Sequence, residues 1–442
     1  LVFLALASAA GAAPAQDDFA AKARELLLAH EAARGFAGAA LVMRGEEVLL
    51  STGIGPADRE HGVPNTPETV FRIGSVTKQF TAAAILLLAE RGRLSTADPV
   101  CKFVAECPEA WQPITVHHLL THTSGIPNFT SFADYPERMS QPSPPEKTLE
   151  RFRDRPLNFA PGARFEYSNS GYVLLGYILE KVAGEPYAKF LRENLLAPAG
   201  LAATGYDDTT TLVPRRAAGY SRRGEGFVNA DFLDMTIPHA AGALYSTTGD
   251  LCRWTRALHD GKVLSEDSLA SLFRPEKNNY AYGWNVAPVF DRPHRSHGGG
   301  INGFSAALSY FPEEKVCIAV LGNVEQAATG PIARDLAAIL FDQPYTLPRV
   351  RRAISVDPAV LAGYVGRYQL APNIVIEVTL EDGRLMSQAT GQPKFEIFAE
   401  SETEFFLRVV DAQIVFDRGP DGRATRLILH QGGRQTPAPR IE

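Results

Sequence analysis

Ser75-Val76-Thr77-Lys78 places a hydroxyl and an amine one helical turn apart, and residues 80–89 that follow are apolar on almost every side. On a helix, positions i and i+3 share a face and reach each other. A serine hydroxyl is a weak nucleophile until a base takes its proton, and a lysine amine can be that base when burial lowers its pKa. Tyr167-Ser168-Asn169 adds a phenol, with an unperturbed pKa of about 10, that becomes usable as a phenolate beside a lysine. The Asn169 amide can hold Lys78 and a substrate carbonyl, or it can cap the helix that follows it. His297-Gly298-Gly299-Gly300 supplies an imidazole, with an unperturbed pKa of about 6.5, beside backbone without side chains. Together these groups cover the needs of acyl transfer: a nucleophile, a base, an acid for the leaving group and donors for an oxyanion.

The elements that must position them follow from hydrophobic period. Residues 80–89 read as a central buried helix whose first turn carries free N–H groups next to Ser75. Val173, Leu174, Tyr177, Ile178 and Leu179 give residues 171–182 a helical stripe, and Phe304, Ala306, Leu308 and Tyr310 alternate as in a strand. Residues 17–33 read as an amphipathic helix, 39–43 and 48–51 as a hairpin, 315–322 as a strand and 331–341 as a helix, while 75–260 is mostly helix and loop. This predicts an α+β fold: an antiparallel sheet flanked by helices, with an all-helical lobe, over residues 16–345. A linker at 346–356 leads to short strands at 374–380, 384–388, 395–399, 405–409, 413–417 and 425–430. They predict a small antiparallel barrel or curved sheet over 357–442.

S-x-x-K at Ser75 and Lys78, Y-x-N at Tyr167 and Asn169, and H-x-G at His297 and Gly299 occur in that order. With the contexts Phe71-Arg72-Ile73-Gly74-Ser75, Leu119-Leu120-Thr121-His122-Thr123-Ser124-Gly125 and Ala241-Gly242-Ala243-Leu244-Tyr245-Ser246-Thr247, the chain resembles the β-lactamase-related and penicillin-binding serine hydrolases. The likeness is to their class C β-lactamase, esterase and D-aminopeptidase branch, over residues 20–345. It implies a β-lactamase/transpeptidase-like fold and an acyl-enzyme on Ser75, with Lys78 and Tyr167 as base and acid and the primary base left open. It implies substrate contacts from Asn169, His297, Gly299 and Gly300, an oxyanion site at the N–H groups of Ser75 and Gly300, and no metal or organic cofactor. Family members with lysine in the third motif can grip a substrate carboxylate; His297 here is largely neutral at pH 7 and would gain charge only towards pH 6. That favours an ester or D-amino-acid-type amide over a β-lactam or D-alanyl-D-alanine peptide, with non-catalytic binding of cell-wall peptides as a further alternative. Residues 357–442 resemble the lipocalin-like appendage of bacterial family members.

At 442 residues the chain exceeds one typical core, so two domains are expected. Its net charge of −6 is small for this length and gives no reason to expect nucleic acid or anionic membrane as a partner. Residues 1–15 read as the end of a secretory signal cut near Ala15, too short to span a bilayer, which implies a periplasmic or secreted protein. Export permits disulfides, and Cys101 and Cys107 are expected to close a small loop. Cys252 and Cys317 read as buried thiols whose pairing stays open. Three rival signals fail on context. Gly298-x-Gly300-x-x-Gly303 matches a dinucleotide fingerprint but precedes a strand rather than a helix. His118 and His122 have zinc-site spacing, yet Leu119 stands where a general-base glutamate is needed, so core and turn packing accounts for them better. No G-x-S-x-G elbow is present. The oligomeric state and the exact substrate are not legible.

Overall fold

Strand Phe304–Phe311 sends Ala306, Leu308 and Tyr310 into one buried core and Ala307 and Phe311 into another. Both faces of this strand are buried, because helices pack on either side of its sheet. In this computed structural model, which describes residues 13–442 except 225, 411 and 432–433, six antiparallel strands form that sheet. Their order is Asn285–Val286, Arg295–Ile301, Phe304–Phe311, Val316–Gly322, Gly38–Arg44 and Glu47–Ile54. The hairpin Gly38–Arg44/Glu47–Ile54 therefore joins the later strands through Gly38–Arg44 on Val316–Gly322. Helices Ala13–Arg34 and Thr329–Leu340 close one face, burying Leu26, Leu27, Ile332 and Leu336 against Val42, Ile318 and Val320. Residues 1–12 of the expected export segment lie outside the described residues.

The other face carries the helical lobe. Helix Thr77–Glu90 is buried at every position from Thr77 to Leu88, with Phe80 stacked on Trp254 at 4.2 Å between ring centroids. Helix Asn169–Ala183 packs beside it and ends at Gly184, whose φ of +75 makes a left-handed cap. The antiparallel sheet flanked by helices is the α+β arrangement expected from the hydrophobic pattern. The lobe is not all helical, since Gly205–Tyr206 and Leu244–Ser246 pair in a small sheet and Tyr220–Arg223 and Gly226–Asn229 form a hairpin.

The chain divides into two compact units between Pro348 and Arg349, within the stretch expected as a linker. The second unit holds two antiparallel sheets, of four and five strands, around Tyr364, Tyr368, Phe405, Phe416 and Leu427. Residues 395–399 pass from one sheet to the other at Ile397, and Tyr368 bridges Arg440 at the opposite edges. The expected barrel or curved sheet takes the form, among the described residues, of two linked antiparallel sheets. Two strands escaped the sequence pattern, Gly366–Ala371 and Arg434–Pro439. The second contains two prolines, which cannot donate to a ladder; it sits at the end of its sheet's order, where that loss is tolerated.

Candidate active site

Ser75 lies in the short turn Gly74–Val76 that runs directly into helix Thr77–Glu90. Gly74 has φ +49, a conformation L side chains rarely adopt. Strand Arg295–Ile301 lies against this turn so closely that a Cβ on Gly299 would sit 2.0 Å from the Ile73 carbonyl oxygen and 3.2 Å from Ser75 N. Glycine at 299 is therefore what lets the strand approach the nucleophile. His297 to Gly300 all belong to this strand, one strand earlier than the alternation at 304–310. Just before the turn, Arg72 Nε donates to the buried Asp207 carboxylate at 2.8 Å, and Arg216 donates to the same group at 3.1 Å. These bonds pin the segment entering the turn.

Lys78 is fully buried, with Nζ 3.0 Å from Ser75 Oγ, 2.9 Å from Asn169 Oδ1 and 2.8 Å from the Ala241 carbonyl oxygen. None of these partners is a carboxylate, and burial holds the amine well below the usual lysine pKa. A neutral amine has two N–H donors and one lone pair. Asn169 Oδ1 and Ala241 O can only accept, so they take both hydrogens. The lone pair is left for Ser75, whose hydroxyl can donate. Asn169 is the first residue of its helix, and Ser168 holds the N-cap position without a capping side-chain bond. The Asn169 amide is used instead towards Lys78 and, through Nδ2, towards Thr130 Oγ1 at 3.2 Å.

Tyr167 lies over Lys78, with Nζ 4.8 Å from the ring centroid. Its hydroxyl is buried beside Ser75 without a hydrogen bond of ordinary geometry. Burial pushes the phenol well above its usual pKa, and contact with the Ser75 hydroxyl offsets this only in part. This corrects the phenolate expected from sequence: a buried amine held towards its neutral form provides no cation to stabilise one. His297 is buried as well. Its Nδ1–H donates to the Gly298 carbonyl, and Nε2 accepts from Tyr280 Oη at 2.9 Å. Burial, with Lys78 adding to it, pushes its pKa down to about 4. The gain of charge expected near pH 6 is therefore corrected, because the imidazole stays neutral there.

A cleft of about 170 Å³ opens over Ser75. Phe129, Tyr135, Leu233, Pro238 and Ile301 give it apolar walls, Thr130, Asn169 and Asn302 contribute amide and hydroxyl groups, and Gly300 lines it with open space where a Cβ would be. Among the described residues, no charged side chain lines it. His297 is not among the residues that line it.

The model of the Beta-lactamase family matches residues 23–341. The chain belongs to the β-lactamase family. Residues 350–439 match a domain of unknown function, DUF3471. Penicillin-binding protein 4* of Bacillus subtilis (strain 168) is 31% identical over 436 residues, covering 92% of this chain and 95% of that protein. The octameric penicillin-binding protein homologue from Pyrococcus abyssi superposes with a TM-score of 0.67 at 27% identity, over 95% of this chain and 99% of its own. A D-stereospecific amidohydrolase from Streptomyces sp. gives a TM-score of 0.64 at 26% identity, over 74% and 99% respectively. Membership of the β-lactamase family, with an amidohydrolase of the same fold as neighbour, makes the protein a serine hydrolase.

Other residues of this β-lactamase-family chain were not anticipated. The Ala241 carbonyl completes the Lys78 shell, although its segment was noted only for its likeness. Asn128 Oδ1 accepts the Asn169 N–H at 3.1 Å, and Thr130 orients the Asn169 amide. No sequence spacing signals contacts made across about forty residues of chain. Of the two histidines with zinc-like spacing, His118 goes to Thr115 at the start of its helix. His122 lies in a nest of aromatic rings. Cys101 and Cys107 are joined, with Cα atoms 5.3 Å apart. Cys252 and Cys317 are buried free thiols in contact with each other. Among the described residues, no helix is long and apolar enough to cross a membrane.

Proposed function

We propose that the protein is an exported hydrolase that transfers the acyl group of an uncharged ester or a D-amino-acid-type amide to Ser75 and then to water. The observation that carries this reading is the partner set of Lys78 Nζ, two oxygens that only accept and one hydroxyl that can donate. Lys78 then takes the Ser75 proton as Oγ attacks the carbonyl carbon. The N–H groups of Ser75 and Gly300 face the developing oxyanion, with Gly299 allowing the strand to come close enough. Tyr167, kept protonated by burial, gives its proton to the leaving group and is recharged from Lys78. Water enters by the reverse path and releases the acid. Lys78 is the primary base on this reading, and Tyr167 the acid.

The lining of the cleft, which offers no cationic side chain to grip a carboxylate, supports an acyl group without a carboxylate. The name of the Bacillus subtilis relative supports a second reading, turnover of β-lactams or D-alanyl-D-alanine peptides. The disulfide supports export, since such bonds persist in oxidising compartments. A panel of a short-chain aryl ester, a chromogenic cephalosporin, D-Ala-D-Ala and D-aminoacyl amides, run on wild type and Ser75→Ala, separates the readings. Ester or D-aminoacyl amide turnover that disappears with Ser75 is expected. Faster turnover of the cephalosporin than of the ester would establish the second reading instead.

A further inference from the structure

His122 meets Tyr167 from three directions. Its backbone carbonyl accepts the N–H of Glu166 at 2.9 Å, and its ring Nδ1 accepts the N–H of Ser168 at 3.1 Å. Its ring lies 4.2 Å from the Tyr167 ring between centroids. The residues on either side of the tyrosine, and the tyrosine itself, are thus held by one residue. The turn that follows extends the hold: Thr123 O accepts from Gly162 N and Gly125 O from Asn158 N, each at 2.8 Å. The loop carrying Tyr167 is registered on residues 122–125.

Packing alone does not call for this arrangement. His122 has φ +56, a left-handed conformation that is unfavourable for a non-glycine residue and persists only where surroundings impose it. Tyr172, Tyr280 and Phe165 already surround its ring at 5.0, 4.7 and 5.8 Å, so an apolar ring would fill the same space. What the imidazole adds is an acceptor. Because Nδ1 accepts a backbone N–H, the ring proton sits on Nε2, which has no partner among the described residues. Burial, reinforced by Lys78 and His297, opposes a second proton that would remove the acceptor.

We propose that His122 is a positioning residue for Tyr167, holding its hydroxyl beside Ser75 where it protonates the departing group. The inference rests on the acid role of Tyr167 proposed above. An alkoxide departs only with a proton, whereas a nitrophenolate departs without one, so loss of a positioned acid harms alkyl esters selectively.

The test compares two esters of one short acyl group, one with a nitrophenol and one with a simple alcohol as leaving group. The ratio of their kcat/KM values reports the steps up to departure of the leaving group, and within one preparation it does not depend on the fraction folded. Tyr167→Phe should raise the aryl-to-alkyl ratio at least about tenfold, the low side of what a general acid contributes. His122→Phe, which keeps a ring but loses the acceptor, should raise it similarly. His122→Asn, whose amide oxygen can stand in for Nδ1, should raise it less. A rise in either His122 variant supports the proposal. Wild-type ratios in the His122 variants, with a raised ratio in Tyr167→Phe, would make His122 a packing residue and overturn it. An unchanged ratio in Tyr167→Phe would remove the acid role itself, and the proposal with it.

Discussion

Asn169→Asp places a carboxylate where a neutral oxygen now lies 2.9 Å from Lys78 Nζ, with almost no change in shape. At that distance, and an effective dielectric of about 20, a full charge pair gains roughly 6 kcal/mol, or about four pKa units. Asn169 is only partly buried, and screening of the new carboxylate reduces the gain. Half of it still leaves a rise of about two units in the lysine pKa. The sign follows from the chemistry. The carboxylate favours the ammonium, the ammonium has no lone pair for the Ser75 proton, and the active form is therefore populated only at higher pH. The assay is the pH dependence of kcat/KM for a short-chain aryl ester, which least needs an acid for its leaving group. Its acid limb should move up by about two units, with roughly 100-fold loss at any pH below the wild-type limb and recovery at high pH. A lower plateau with the acid limb in its wild-type place would refute the assignment of that limb to Lys78, and with it the base role.

Four further outcomes are expected. Tyr167→Phe should keep its melting temperature and Ser75 labelling by a fluorophosphonate, yet lose about 100-fold or more in turnover of an alkyl ester. Gly299→Ala should destabilise the fold and lower kcat about 100-fold by pushing the strand off Ile73 and Ser75, while Gly300→Ala, which meets nothing within 4 Å, should melt like wild type; thermal melts and kinetics of both check this. The kcat/KM ratio between a carboxylate-bearing and an uncharged substrate should stay level from pH 8 to pH 6, since His297 titrates at about 4; a rise centred near pH 6.5 would show an accessible imidazole. Reduction of the Cys101–Cys107 bond should destabilise the unit by about 2 kcal/mol, the chain-entropy value for so short a loop, measured by denaturant melts with and without reductant.

Much of this architecture was legible because local period and burial agree. The alternation at Phe304–Tyr310 and the all-round apolar run at 80–89 both specify surfaces that must be covered, and both are. Ser75, Lys78, Tyr167 and Asn169 could be named because S-x-x-K and Y-x-N are short patterns at the starts of two adjoining helices, and the structure brings all four together. What was not legible depends on environment rather than residue type. The orientation of His297 is set by Tyr280, seventeen residues away, and burial rather than sequence makes it a weak base. Tyr167 was expected to be usable as a phenolate beside a partly neutral lysine; desolvation acts on the phenol as well as the amine and drives both towards their neutral forms. His122 was weighed as a metal ligand and read as core and turn packing, since nothing in Thr121-His122-Thr123 announces contacts with residues 166–168. Arg434–Pro439 pairs in its sheet despite two prolines, because tertiary pairing at a sheet's end overrides local preference.

The central claim is that a covalent acyl-enzyme forms on Ser75. It is tested most directly by quenching the enzyme in acid during turnover of an aryl ester and measuring its intact mass. The account predicts a gain equal to one acyl group, localised by peptide mapping to Ser75 and absent from Ser75→Ala, which should also lose turnover. An acyl group on another residue, or undiminished turnover by Ser75→Ala, would contradict it.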